Sequence, residues 1–153
     1  MPTYNFKEQF VPFVQDMSKR QTVRAYRKDG KLPMPGEPLH LFTGMRTNYC
    51  LRLLPPLLVV ETSATIFIYV GEMYLCDLLT KVEAEYLLYH PIELNLNKDV
   101  DCFPKKEKDI FAWQDGFRPD KSTIEAPGKS FDLMMDFWKQ SHDFPFTGTV
   151  TYW

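Results

Sequence analysis

The sequence lacks a long apolar run and a paired cysteine motif, and each absence excludes a class of protein. The longest apolar stretch, residues 53–60, contains prolines and is far too short to span a bilayer. Residues 1–13 show no basic start followed by an apolar run, so no signal peptide is expected. The three cysteines, Cys50, Cys76 and Cys102, form no CxxC pair, which predicts reduced thiols in a cytoplasmic protein, packed as small apolar side chains.

Phosphate-loop and metal-binding motifs are also missing. Neither GxxxxGK nor GxGxxG occurs, so the sequence does not support nucleoside-triphosphate hydrolysis or dinucleotide chemistry. The histidines His40, His90 and His142 have no ligand spacing. The run at 141–143, Ser-His-Asp, cannot act as a catalytic triad because consecutive side chains diverge. We therefore predict neither a metal nor a cofactor.

The composition predicts one globular domain spanning residues 1–153. Hydrophobic residues make up 44% of the chain and aromatic residues 15%. The net charge of −2 argues against a general polyanion binder, but the charge is unevenly distributed. Residues 1–54 hold nine Lys or Arg and four Asp or Glu, whereas residues 55–153 hold nine and sixteen. This favours a basic patch for a local nucleotide or nucleic-acid contact, although ordinary surface charge is the alternative.

Strand and helix patterns are mixed along the chain without regular alternation. Strand patterns cover residues 4–7, 21–26, 39–43, 57–70 and 147–153. The longest of them is predicted to be one strand or a hairpin, with both faces covered. Helical spacing covers residues 10–17, 106–114 and 130–141, whereas 71–90 fits either a helix or a hairpin turn, and 28–38 and 91–104 are expected to be irregular. The mixture predicts an α+β fold, a small β-barrel with flanking short helices.

Cations and hydroxyls gather around two predicted turns. The first segment, residues 19–24, reads KRQTVR, and the second, residues 43–47, reads TGMRT. Alternation along the predicted strand places Thr22 and Arg24 on one face. Such residue types around backbone turns are typical of sites that hold a phosphate or a nucleobase, provided that they share one pocket.

Five residues are candidates for nucleic-acid or phosphate binding. Arg20, Arg24 and Arg46 are predicted to clamp a phosphate through their paired N–H groups, with Thr43 beside them. Tyr26 is the candidate to stack on a base, as binders of single strands require. The structural alternatives are a solvated loop residue for Arg20, a brace of the loop against the acidic half for Arg46, and core packing for Tyr26.

These segments resemble the ASCH domain family, in the form found in proteins of bacteriophages and prophages. The matching segments are Phe10-Val11-Pro12-Phe13, residues 19–24, Pro35-Gly36, and residues 39–47 with Cys50. A second, weaker match comprises residues 112–117, Phe137-Trp138 and Trp153. The similarity covers about residues 5–54 and 111–153, and the segment 55–105 has no counterpart.

The resemblance implies a PUA-like β-barrel that binds RNA or a nucleotide in the cleft beside the barrel. It also implies an alternative, because some members are amidohydrolases that remove an acetyl group from modified cytidine. In those enzymes a Lys and a Thr three residues later are joined by an acidic residue, and Lys19, Thr22 and Asp115 match, with Asp in place of Glu. Met17 stands where the family often has glycine, which predicts a backbone other than a left-handed turn.

Three functions therefore remain open, and whether the protein is an enzyme is not decided. The first is a non-catalytic binder of RNA or a nucleotide that uses Lys19 together with Arg20, Arg24 and Arg46. The second is an amidohydrolase in which Thr22 attacks, Lys19 acts as base or holds the oxyanion, and Asp115 moves the proton. Instead of supplying a catalytic carboxylate, Asp115 with Gly116 could simply end the preceding helix in a turn. The third is a phage protein that binds a host protein through the acidic, aromatic-rich segment 83–103.

Overall fold

The computed structural model describes residues 2–59, 61–90, 100–102 and 105–153. Its strands are β1 (Thr3–Phe6), β2 (Gln21–Ala25), β3 (Pro38–Thr43), β4 (Leu51–Arg52), β5 (Leu57–Leu58), β6 (Glu61–Tyr69), β7 (Glu72–Asp77), β8 (Val100–Cys102) and β9 (Phe146–Tyr152). Its α-helices are α1 (Val11–Gln15), α2 (Lys81–Leu88), α3 (Lys105–Gln114) and α4 (Ser130–Ser141), and a 3-10 turn at Glu8–Phe10 precedes α1. None of the described helices is long and apolar enough to cross a lipid bilayer.

The described strands pair as two sheets. The larger sheet is antiparallel and has the order β2-β9-β6-β7-β8. In the smaller sheet, β3 pairs in parallel with β1 and antiparallel with β4 and β5. The mixed α+β class predicted from the sequence is thereby confirmed. No closed barrel is found among the pairings of the described strands.

Strand β6 lies between two hydrophobic cores. Ile66 and Ile68 pack in the larger core, and Phe67 packs in a smaller core beneath α2 with Tyr74, Cys76, Ala84 and Leu88. The sides alternate because successive side chains of a strand face opposite ways. Full burial of each large apolar side chain contributes about 1.5–3 kcal/mol. The prediction that both faces of the 57–70 segment are covered is confirmed for residues 65–68, whereas Leu58 and Val70 are exposed. The segment forms two strands, β5 and β6.

Residues 71–90 contain both of the structures that the sequence allowed. Gly71, with φ of 81°, lies in the turn between β6 and β7. Helix α2 then begins at a capping box. The Thr80 hydroxyl accepts the Glu83 backbone N–H at 3.3 Å, and the Glu83 carboxylate accepts the Thr80 backbone N–H at 2.8 Å. The box fixes where the helix starts.

The prediction of an irregular segment at 91–104 is wrong in part. Residues 100–102 form β8, which pairs with β7 at the edge of the larger sheet. Residues 91–99 and 103–104 lie outside the described part of the chain. About half of the segment 83–103, to which a host-protein contact was assigned, therefore lies outside the described part, since only its residues 83–90 and 100–102 are described.

The cysteines do not all behave as small buried side chains. Cys76 is buried, as expected, and burial raises the pKa of its thiol to about 11. Cys50 is exposed, which contradicts that expectation. Both are free thiols.

Strands β2 and β9 approach each other closely at Gly148. Gly148 pairs with Ala25, and a Cβ at this glycine would lie 2.2 Å from the Arg24 carbonyl oxygen. It would also lie 3.0 Å from the Phe146 ring. A side chain at this position therefore pushes β2 away from β9, and β2 carries Thr22 and Arg24.

We expect Gly148→Ala to loosen β2 and to lower the free energy of unfolding by about 1–3 kcal/mol, the usual effect of overpacking. Hydrogen exchange should become faster at the amides of both β2 and β9. Gly30→Ala is the control, because nothing lies within 4 Å of a Cβ there and its φ of 69° only adds local strain. Unchanged protection of β2 in Gly148→Ala would contradict this account of the pairing.

Candidate functional site

A cavity of about 730 Å³ lies between β1, β2, the turn after α3 and the end of α4. This volume is in the range in which proteins hold small molecules. Its charged lining residues are Lys7, Lys19, Arg24, Arg27 and Asp115. Aromatic residues also line it, namely Tyr4, Phe6, Phe10, Phe117, Phe137 and Trp138. The cavity therefore combines positive charge with apolar ring surface.

Lys19 and Asp115 form a buried ion pair at the bottom of the site. Their residues are 2% and 5% exposed. Lys19 Nζ donates hydrogen bonds to Asp115 Oδ1 at 2.8 Å, to the Gln21 carbonyl oxygen at 2.9 Å, and to the Asp115 carbonyl oxygen. Because an ammonium has three N–H donors, these acceptors satisfy all of them.

Burial changes the proton affinity of both members of this pair. It lowers the pKa of Lys19 and raises the pKa of Asp115, because each charged form loses its hydration. The opposite charge of the partner acts against each shift. Burial thus disfavours the charged form of each group, whereas the hydrogen bond between them favours it.

The loop between α1 and β2 turns inward at Met17. Its φ is 63°, in the left-handed region that favours glycine, so the prediction of a different backbone here is wrong. The Lys19 backbone N–H donates to the Phe13 carbonyl oxygen at 2.8 Å, which ties the turn to α1. The strained turn and this bond together direct the Lys19 side chain into the interior.

Arg118 fastens the same loop to the end of α3. Its Nη1 and Nη2 donate to the hydroxyl and carbonyl oxygens of Ser18 at 2.9 and 3.0 Å, and its Nε donates to the Trp113 carbonyl oxygen at 3.1 Å. The guanidinium lies 3.9 Å from the Trp113 ring centroid and 4.3 Å from that of Phe13. Sequence reasoning missed Arg118. Its place directly after the matched segment 112–117 was the available signal.

Gly116 makes room for the Lys19 side chain. Its φ is 99°, and a Cβ there would lie 2.8 Å from Phe10 Cδ1 and 3.3 Å from Lys19 Cδ. The predicted helix stop is confirmed, since α3 ends at Gln114. The two interpretations of Asp115 with Gly116 are therefore compatible, because the turn that ends α3 also places a buried carboxylate.

Thr22 and Arg24 line the cavity together, in line with their expected common face. The Thr22 side chain is buried, and its hydroxyl makes no hydrogen bond to any described residue. In particular, no hydrogen bond joins it to Lys19 or Asp115. Lys19, Thr22 and Asp115 thus share one cavity, but only two of them are bonded to each other.

The structure separates the three arginines of the expected phosphate clamp. Arg24 lines the cavity, whereas Arg20 and Arg46 do not. Arg20 is exposed, and its Nε donates to the Met17 carbonyl oxygen at 3.3 Å. Arg46 is exposed on the loop after β3 with φ of 66°. A clamp of three guanidiniums is therefore not assembled at this site.

Tyr26 and Thr43 also lie away from the cavity lining. The Tyr26 hydroxyl is 2.7 Å from the Thr65 hydroxyl and donates to the Leu79 carbonyl oxygen at 3.2 Å. The Thr43 hydroxyl donates to the Phe6 carbonyl oxygen at 2.9 Å. The sequence suggested that both side chains contact a ligand, but in the structure their hydroxyls form hydrogen bonds within the protein.

Sequence reasoning assigned no role in the site to the phenylalanines of the lining, although three of them lie in the segments that resemble the family. Phe10, Phe117 and Phe137 pack edge to face with ring centroids 5.2–5.6 Å apart, and we call them the aromatic wall. Lys7 Nζ lies 4.6 Å from the Phe137 ring centroid. Burial, followed by the positive charges of Lys7 and Arg24, lowers the pKa of His142, which also lines the cavity.

Within the described ranges, no group of three or more His, Cys, Asp or Glu side chains is arranged to hold a metal ion. No protein-family model matches the chain, and neither a curated protein nor a solved structure matches it. The chemistry of the site therefore has to be argued from its own residues.

Removal of one partner of the buried pair should be costly. In Lys19→Met the Asp115 carboxylate stays buried without its cation, and we expect a loss of about 3–5 kcal/mol in the free energy of unfolding at pH 7. Chemical denaturation measures this loss. The double variant Lys19→Met/Asp115→Leu should recover most of it, because apolar replacement of a whole buried pair is often nearly neutral.

The same variants test the pKa shift of Asp115. In Lys19→Met the pKa of Asp115 in the folded state lies above its unfolded value of about 3.8, so the folded state binds the proton more tightly. Stability should then rise as the pH falls from neutral through the folded pKa towards 3.8. The double variant should lack this rise. If both variants show the same pH dependence, Asp115 is not the group responsible.

Proposed function

We propose that the chain is an ASCH-type domain of PUA-like architecture, acting in the cytoplasm, that binds a nucleotide or an RNA segment in the cavity beside β2. The observation that supports this most is the charge of the lining. Four of its residues are Lys or Arg, and Asp115 is the sole carboxylate among the described lining residues. Because that carboxylate is bonded to Lys19, Lys7 and Arg24 have no carboxylate partner within the described chain.

The apolar half of the cavity suits a base or a sugar. The aromatic wall offers ring surface, and the Lys7 ammonium stands over its Phe137 member. Bases stack on such rings irrespective of sequence, whereas phosphates need the cations. Rings and cations in one cavity therefore match the two chemical parts of a nucleotide.

Calorimetric titration with nucleotides and short RNA tests this proposal. The affinity should fall with salt with a log-log slope of about −1 to −2, as expected for one or two phosphate contacts. Lys7→Ala/Arg27→Ala removes two exposed cations of the lining and should weaken binding at least about tenfold, equivalent to about 1.4 kcal/mol.

Arg20→Ala/Arg46→Ala is the matched control for this titration. It removes the same charge from exposed positions outside the cavity, and binding should be unchanged. An equal loss in the control would assign binding to general surface charge. Absence of any complex at low salt would refute the proposal.

A second candidate, amide hydrolysis of an acetylated cytidine-type nucleoside, is favoured by the presence of Lys19, Thr22 and Asp115 in one cavity. Lys19 would first pass one proton to Asp115, and its neutral amine would then take the proton of the Thr22 hydroxyl as that hydroxyl attacks the acetyl carbonyl. Protonated Asp115 would give its proton to the departing amine, and water would then hydrolyse the acetyl ester on Thr22 to release acetate. The pKa shifts of the ion pair towards neutrality support such proton transfer. However, all three N–H groups of Lys19 already donate hydrogen bonds, so hydrolysis requires at least one of these hydrogen bonds to break.

Release of acetate from N4-acetylcytidine tests this candidate. Thr22→Val preserves the shape of the side chain, and because the hydroxyl has no partner in the described chain, the variant should fold like the parent. If Thr22 is the nucleophile, acetate release should fall by at least about 10³-fold. No release by the parent, or equal release by Thr22→Val, excludes this mechanism.

A further inference from the structure

We propose that Arg24 is an anion subsite that receives the terminal phosphate of a nucleoside monophosphate. The inference rests on the nucleotide binding proposed above. It adds that the ligand is a free mononucleotide and that the phosphate end enters first.

Most hydrogen-bond donors of the Arg24 guanidinium have no acceptor within the described chain. A guanidinium has five N–H donors. The structure gives Arg24 one acceptor, the Asn5 carbonyl oxygen at 3.0 Å from Nη2. Its Nε–H is buried and has no partner, and no described residue accepts a hydrogen bond from Nη1. Buried donors are normally paired, so an acceptor from outside the chain is the expected completion.

Neighbouring rings hold the guanidinium of Arg24 in place. Its Cζ lies 4.9 Å from the ring centroid of Tyr4 and 5.0 Å from that of Phe6. Tyr4 is itself fixed, since its hydroxyl is 3.0 Å from the hydroxyl of the buried Thr151. The group is therefore ordered before any ligand arrives, which lowers the entropic cost of binding.

The chain does not neutralise Arg24. The nearby carboxylate of Asp115 is bonded to Lys19, and no ion pair within the described chain includes Arg24. Lys7 adds a further positive charge, unpaired within the described residues, to the same lining, whereas the Arg27 guanidinium is paired with Asp29 at 3.1 Å. A planar guanidinium with neighbouring cations suits a phosphate monoester, which carries about −1.5 to −2 charges near neutral pH.

The half-buried position of Arg24, whose Nε is fully enclosed, favours a terminal over an internal phosphate. A group that reaches the enclosed side of this guanidinium must give up its water and enter end first. A terminal phosphate presents three free oxygens and is attached on one side only. An internal phosphodiester carries a sugar on each side, and both sugars would have to enter the cavity with it.

Calorimetry with three kinds of probe tests the subsite on the intact protein. The probes are the common ribonucleosides, their 5′-monophosphates, and dinucleoside monophosphates whose phosphate is internal. We expect each monophosphate to bind at least about tenfold more tightly than its nucleoside, and the dinucleoside monophosphate to bind no more tightly than the nucleoside. In Arg24→Met the monophosphate should bind no better than the nucleoside, whereas Arg46→Met should keep the full gain.

A second measurement needs no variant and covers the case in which Arg24→Met fails to fold. Phenylglyoxal modifies accessible guanidiniums, and peptide mass spectrometry reads the modification at Arg24. A nucleoside 5′-monophosphate should slow this modification severalfold, whereas the nucleoside should not. Equal protection by both would overturn the subsite.

The outcomes separate the subsite from the proposed function. If nucleosides bind and the phosphate adds no affinity, or if Arg24→Met keeps the gain, the subsite is wrong and nucleoside binding stands. If RNA or an internal phosphodiester binds as tightly as the monophosphate, the requirement for a terminal phosphate is wrong. If no nucleoside, nucleotide or RNA binds, both the function and the subsite are refuted.

Discussion

The buried ion pair of Lys19 with Asp115 joins two segments that are 96 residues apart in the chain. Removing both charges from water is costly, and the pair is stable only because every ammonium proton finds an acceptor. Three local features make this possible. Met17 accepts a left-handed backbone, Gly116 leaves space for the lysine side chain, and Arg118 ties Ser18 to α3. The cavity exists where these features bring β2 against the end of α3.

This arrangement divides the cations of the cavity into two kinds. Lys19 is neutralised by Asp115 and fully bonded, so in this state it offers nothing to a ligand. Arg24 and Lys7 are not neutralised within the described chain, and the proposed function assigns the attraction for an anion to them. Binding therefore needs no rearrangement of the ion pair, whereas hydrolysis does. This difference is why the geometry favours a binder, with catalysis as the second candidate.

Much of the local structure was accessible from the sequence because its patterns have a simple period. The alternation around Thr22 and Ile66 predicted β2 and β6, and the helical spacing of Met134 and Trp138 predicted α4. Strand β8 was missed because three residues, two of them polar or small, give no pattern. For residues 71–90 the sequence did not decide between a hairpin and a helix, because the patterns of both follow one another within this range.

The site itself was only partly predictable. The resemblance of short sequence segments to a known family identified Lys19, Thr22 and Asp115, and the structure brings these residues to one cavity. The gathering of cations around two predicted turns grouped Arg20 and Arg46 with Arg24, although loop geometry directs them elsewhere. The position of Arg118 after the matched segment could have drawn attention to this residue, but no local pattern predicts its contact with Ser18, which lies 100 residues away in the chain.

The geometry around Lys19 also explains why a different basic residue would not substitute for it. Its three acceptors, two backbone carbonyls and one carboxylate oxygen, converge on a single nitrogen atom. An ammonium is a compact point charge whose donors spread like the legs of a tripod, whereas a guanidinium is flat and wide. Arginine would carry the same charge into the interior with a shape that the pocket cannot match. At this position the shape of the cation matters as much as its sign.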